Sequence, residues 1–270
     1  GAYWGAGGRQ EPPPVPPIHL TGGIPDPDSL PIEELIAASE RVLRRERRGA
    51  VDILVSGREY VRDLNAAPAA LQRGTVYLRQ EALRRWLWEK IEGWNLRQRD
   101  GAIKATLDSY GYAADPLQAI ESMTIAESET LILHELGEHA AGEFLGPDWE
   151  GMLQGMSSRR AEILARAVRD NLADCLSTLP ALLQRDAQAS LHFWFANFDG
   201  MRQVLFPSLT AAYAAWSESG DALPLQAALV KGTAHWQALA TRLLEIYRQR
   251  GATADSQIEA LAEKLDALAL

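Results

Sequence analysis

Residues 125–145 read IAESETLILHELGEHAAGEFL, and this stretch decides the fold class. Its apolar residues recur at intervals of three and four and do not alternate, so the spacing predicts an α-helix. Leu131, Ile132, Leu133 and Leu136 face more than one way around that helix, which implies burial on more than one side. Glu127, His134 and Glu138 share a stripe with Leu131, Ala141 and Leu145. Polar groups on such a stripe are costly unless they find partners.

The rest of the chain extends the same pattern. Helical spacing also marks residues 79–96, 102–110, 116–123, 158–179, 187–204, 208–217, 224–250 and 256–268. Pro180 should end or kink the 158–179 helix, because proline lacks the backbone donor that the helix needs. A further helix is expected from Pro31, where Ile32, Leu35, Ile36, Val42 and Leu43 recur at helical spacing. Only residues 51–55 and 75–78 read as strands, both short. The expectation is an all-α multi-helix bundle with at most one or two minor strands. Residues 1–30 are rich in Gly and Pro and read as an extended arm, leaving 31–270 as a single helical domain.

Composition narrows the function. The chain has 270 residues, 47% of them hydrophobic, which is ample for a core and excludes disorder of the bulk. A net charge of −9 argues against a nucleic-acid partner. The one cysteine, Cys175, excludes an internal disulfide and a cysteine-rich zinc site. No apolar run reaches the roughly 18 residues that would cross a bilayer, so no membrane partner is expected. No leader sequence is visible, so cytoplasm is the default expectation; the start at Gly1 in place of Met leaves a removed signal peptide as the alternative.

Two of the five histidines and two carboxylates fall within residues 134–139, His-Glu-Leu-Gly-Glu-His. Histidines five apart lie about 140° apart around an ideal helix and cannot grip one ion. A one-residue bulge, eased by Gly137, would bring His139 round. Otherwise the aligned pairs are His134 with Glu138 and Glu135 with His139, each four residues apart. Further ligands would come from the 158–179 helix, where Asp170 and Asp174 lie one turn apart and Asn171 points inward. Glu162 reads as a solvated partner of Arg166. His192 and His235 read as core histidines, and Glu127 and Glu129 as helix N-terminal charges.

The six-residue run resembles the His-Glu-x-x-Gly-His signature of the dipeptidyl peptidase III zinc peptidases. Where that signature has Gly before the second histidine, this chain has Glu138, with Gly137 one position earlier. The resemblance implies zinc on His134 and His139, with Glu135 activating water. Three functions follow as expectations. The first is a zinc-dependent hydrolase, with Glu135 as catalytic base, metal ligands drawn from His134, His139, Glu138, Asp170 and Asp174, and a small-molecule or peptide substrate. The second is a helical-bundle iron or manganese protein with mixed His and carboxylate ligands. The third is a non-catalytic helical scaffold or binding module, as a homodimer.

Overall fold

The computed structural model describes residues 40–59, 67–96, 100–251 and 254–270. The expected arm at 1–30 and the start of the expected helix at Pro31 lie outside these residues. Residues 40–270 form one compact unit.

The unit begins with a small sheet. Strand β1 (Glu40–Arg48) pairs antiparallel with β2 (Val51–Glu59), closing at Arg48 opposite Val51 around Gly49, whose φ is +60°. Strand β3 (Ala69–Gln72) pairs antiparallel with β4 (Thr75–Arg79) across Arg73 and Gly74, both at positive φ as a two-residue hairpin turn demands. Strands β2 and β4 run parallel, giving the order β1-β2-β4-β3. The two expected strands are present, and two more flank them. Val42 and Leu43, read as helical, belong to β1. There, pairing with β2 outweighs an apolar spacing that suited a helix equally well.

Helix dominates the remainder. Helix α1 (Gln80–Asn95) and α2 (Ala102–Ser109) lead to α3 (Pro116–Leu145), a single 30-residue helix where two had been expected. Asp115 caps it by accepting from the Gln118 amide at 3.0 Å, and Pro occupies its first turn. Then come α4 (Pro147–Gly155) and α5 (Arg159–Ala173), the latter capped by Ser158. Helix α5 does not stop at Pro180. It widens into a π-helical turn at Asp174–Thr178 and resumes as α6 (Leu179–Gln184). Pro180 cannot donate back to the carbonyl four residues earlier, so the ladder is interrupted just where the wider turn is accommodated. The expected 187–204 helix splits at Asn197–Asp199 into α7 (Gln188–Ala196) and α8 (Gly200–Leu205). Helices α9 (Pro207–Ser219), α10 (Leu223–Arg250) and α11 (Ala254–Ala262) complete the bundle. Among the described residues no helix is long and apolar enough to cross a membrane.

Helix α3 runs between three apolar layers. Val51, Ile53, Val55, Val76 and Leu78 of the sheet pack on its Ile132, with Leu131 and Leu136 alongside. Leu83, Leu87 and Ile91 of α1 meet its Ile120 and Met123. Leu133, Ala141 and Leu145 join the main core of α4 to α11. The expectation of burial on several sides follows directly from this position. Arg48 of β1 fixes the sheet to α3 through paired hydrogen bonds to the Glu129 carboxylate, at 2.6 and 2.9 Å.

Candidate functional site

The site is built where α3 crosses the end of α5. Gly137 makes that crossing: a Cβ there would stand 2.4 Å from the Ala173 carbonyl oxygen and 3.1 Å from the Ser177 Cβ. Its role is close helix approach, and not the easing of a bulge in α3, which is regular α-helix throughout. The widened turn lies in the neighbouring strand of chain, at Asp174–Thr178. There the Ser177 hydroxyl donates to the Leu133 carbonyl at 2.7 Å. Asp174, the first residue of that turn, is fully buried.

Asp174 is the hub. His134 Nδ1 donates to its Oδ1 at 2.9 Å, and the Trp194 indole N–H reaches the same oxygen at 3.2 Å. Arg202 of α8 donates to Oδ2. Burial alone would push the Asp174 carboxyl up, but Arg202 and His134 outweigh it and hold the pKa down at about 2. Burial likewise opposes a charge on His134, yet Asp174, with help from Glu138, raises its pKa well above the ordinary histidine value. Asp174 thus favours the charged form of the ring, whose Nδ1–H it accepts. The His134 Nε2 lies 3.5 Å from Glu138, a loose contact. Glu138 accepts instead from Arg169 at 2.7 Å, and Arg169 also binds Asp170 at 2.9 Å. Burial pushes the Asp170 carboxyl up despite Arg169, whereas His134 and Arg169 overcome burial at Glu138 and lower it.

Glu135 points the other way, toward the sheet. It is buried, and burial together with the nearby Glu138 charge raises its pKa to about 7. The Leu71 backbone N–H of β3 bonds it and partly offsets that rise. Glu135 and His134 share the wall of a cavity of about 230 Å³ with Pro68, Trp86, Leu131, Phe193, Trp194, Asn197 and Arg202. Arg202 lies over the rings of Trp194 and Phe198, at 5.4 and 5.6 Å from their centroids.

The sequence-predicted residues thus divide. His134, Glu138, Asp170 and Asp174 form one network threaded by Arg169 and Arg202. His139 lies outside it and faces Glu143 at 3.6 Å. The structure realises the His134–Glu138 pairing and not a joint grip by the two histidines. As placed, these residues do not fit a zinc ion: each carboxylate that would ligate one already holds an arginine. Among the described residues, no three of His, Cys, Asp and Glu converge to hold a metal. His192 bonds Tyr213 at 2.8 Å and His235 the Leu268 carbonyl at 2.8 Å, as core histidines do. Glu162 pairs with Arg166 at 2.8 Å. Asn171 is buried and donates to the Arg202 carbonyl at 3.2 Å.

Glu127 departs from its expected role as a helix-terminal charge. With α3 starting at Pro116, it lies mid-helix, fully buried, and accepts from the hydroxyls of Tyr110, Thr130 and Ser190. Glu129 is held by Arg48 and Arg185. Sequence reasoning missed Arg202, Trp86 and Asn197. A signal for Arg202 existed: an acidic residue at the edge of an apolar face demands a cation, but nothing in the spacing says which one supplies it.

No curated protein and no solved structure matches the chain. A family model does match over residues 84–265, from within α1 to just beyond α11. It takes in His134, Glu135, Glu138, Arg169, Asp170, Asp174 and Arg202, and leaves the sheet outside. The chain therefore belongs to the family of unknown function DUF6866, of which residues 84–265 are the C-terminal domain.

Proposed function

We propose that the protein is a hydrolase acting on a small, largely apolar molecule bound in the cavity beside α3, with Glu135 as its general base. One observation carries this reading: a buried carboxyl with a pKa of about 7 stands on the wall of an aromatic-lined cavity. A base poised near the working pH is what proton transfer requires. In the step we envisage, Glu135 takes a proton from water as the water oxygen attacks a substrate carbonyl carbon. The developing negative charge on the carbonyl oxygen faces the His134 imidazolium, whose Nε2–H is only loosely held by Glu138. Asp174 keeps that ring charged and oriented. Glu135 then returns the proton to the leaving group, and the resting state is restored.

The test is hydrolysis of a panel of small aryl esters and N-acyl amides between pH 5 and 9. Turnover should rise with pH through about 7 as Glu135 ionises. Glu135→Gln should lower it by roughly 10²-fold or more. A Glu135→Gln variant as fast as wild type, or no turnover on any member, overturns the reading.

Zinc-dependent hydrolysis is the second reading, and an iron or manganese centre is its variant. Its support is a histidine oriented by a buried carboxylate, as metal-bound histidines are. It requires Arg169 and Arg202 to release their carboxylates. The same assay after chelator dialysis, with and without added zinc, iron or manganese, separates the two: turnover that depends on added metal favours the second.

A further inference from the structure

We propose that the molecule taken by this cavity carries a carboxylate, and that Arg202 is the residue that selects it. This rests on the reading of the cavity as a substrate site, and it adds the class of substrate. The walls contributed by Trp86, Phe193, Trp194, Leu131 and Pro68 are apolar and suit a flat or aliphatic body. The charged side chains on the wall are Arg202, His134 and Glu135.

Arg202 has donors to spare. A guanidinium offers five N–H groups in a planar fork. Its side-chain contacts with protein among the described residues are one hydrogen bond to Asp174 Oδ2 and the faces of Trp194 and Phe198. Its Nε has no partner, and 23% of the side chain is exposed. The carboxylate of Asp174 is divided: one oxygen serves His134 and the other Arg202. Of the remaining charges of the network, Arg169 pairs with both Glu138 and Asp170, and Glu138 also lies 3.5 Å from His134 Nε2. A bound carboxylate would take up guanidinium donors that Asp174 leaves unused. Stacking on Trp194 and Phe198 keeps the guanidinium plane fixed to receive it.

The probe is phenylacetate, compared with its neutral isostere phenylacetamide. Binding to the full chain is followed by calorimetry and by tryptophan fluorescence, since Trp86 and Trp194 line the cavity. Phenylacetate should bind at least tenfold tighter than the amide. Arg202→Gln should erase that preference, and Arg202→Lys, which keeps the pair with Asp174, should reduce it while preserving the fold by circular dichroism. Glu135→Gln should keep the preference, so loss of hydrolysis and loss of acid selection are read separately. Equal binding of acid and amide to the wild type, binding of neither, or a preference that survives Arg202→Gln would each overturn the proposal. The wild-type comparison needs no variant to fold.

Discussion

Replacing Glu135 by Gln should leave the protein unchanged at low pH and stabilise it at high pH. Glu135 is buried on α3, and its pKa is raised to about 7 from 4.5. A carboxyl with a raised folded-state pKa holds its proton more tightly in the native chain than in the unfolded one. Stability is therefore undiminished below about pH 4.5, falls as pH rises from there, and levels off above about 7. The shift of about 2.5 units corresponds to ~3 kcal/mol of native-state cost at pH 9. Glutamine has the same shape, keeps an oxygen for the Leu71 N–H, and does not ionise. The expected difference between variant and wild type is thus about zero at pH 4 and ~3 kcal/mol in favour of the variant at pH 9. For a domain of this size that is a rise in Tm of roughly 6–12 °C. Thermal unfolding of both proteins, followed by circular dichroism from pH 4 to 9, measures it. An offset that is constant with pH would refute the argument, because it would mean that Glu135 ionises normally.

Two further substitutions probe the architecture around it. Asp174→Asn removes the charge that His134 and Arg202 share, and should cost ~3–5 kcal/mol at neutral pH, measured by urea unfolding. The sign with pH follows from both partners. The lowered Asp174 pKa gives stability that is present above about pH 4 and lost toward pH 2. The raised His134 pKa gives stability that is complete below about 6.5 and lost as pH climbs through the folded value. The variant should therefore lose most between about pH 4 and 6.5, and a uniform loss would count against the pair. Gly137→Ala should destabilise by ~2–3 kcal/mol in the same assay, since the added methyl meets the backbone of Ala173, which cannot rotate away. A neutral Gly137→Ala would mean that α3 and α5 do not cross at this distance.

Much of the helical order was legible in residues 80–250, because 3.6-residue periodicity reports which faces of each helix leave water. The apolar residues around Ile132 announced that α3 is enclosed, and the sheet, α1 and the bundle do enclose it. The same logic failed at Val42 and Leu43. Short apolar spacings fit a helix or a strand, and a long-range partner in β2 decided between them. At Pro180, where the sequence predicts an end or a kink, the missing donor is met by a π-helical turn just upstream, which spacing alone does not foretell.

At the site, sequence determined that His134, Glu135, Glu138 and His139 occupy one helix and that His134 aligns with Glu138, and Glu135 with His139, four apart. These are consequences of helical pitch alone. That His139 stays outside the network was decided by the regular course of α3. Tertiary structure decided everything that depends on distance between elements. It placed Asp174 on His134 through a π-helical turn, used Gly137 as a contact surface, and brought Arg169 and Arg202 onto the carboxylates from α5 and α8. It also raised the Glu135 pKa by burying it beside Glu138. The physical reason is that a residue's spacing fixes its direction around its own helix, whereas its charge state and partners depend on what packs against that face.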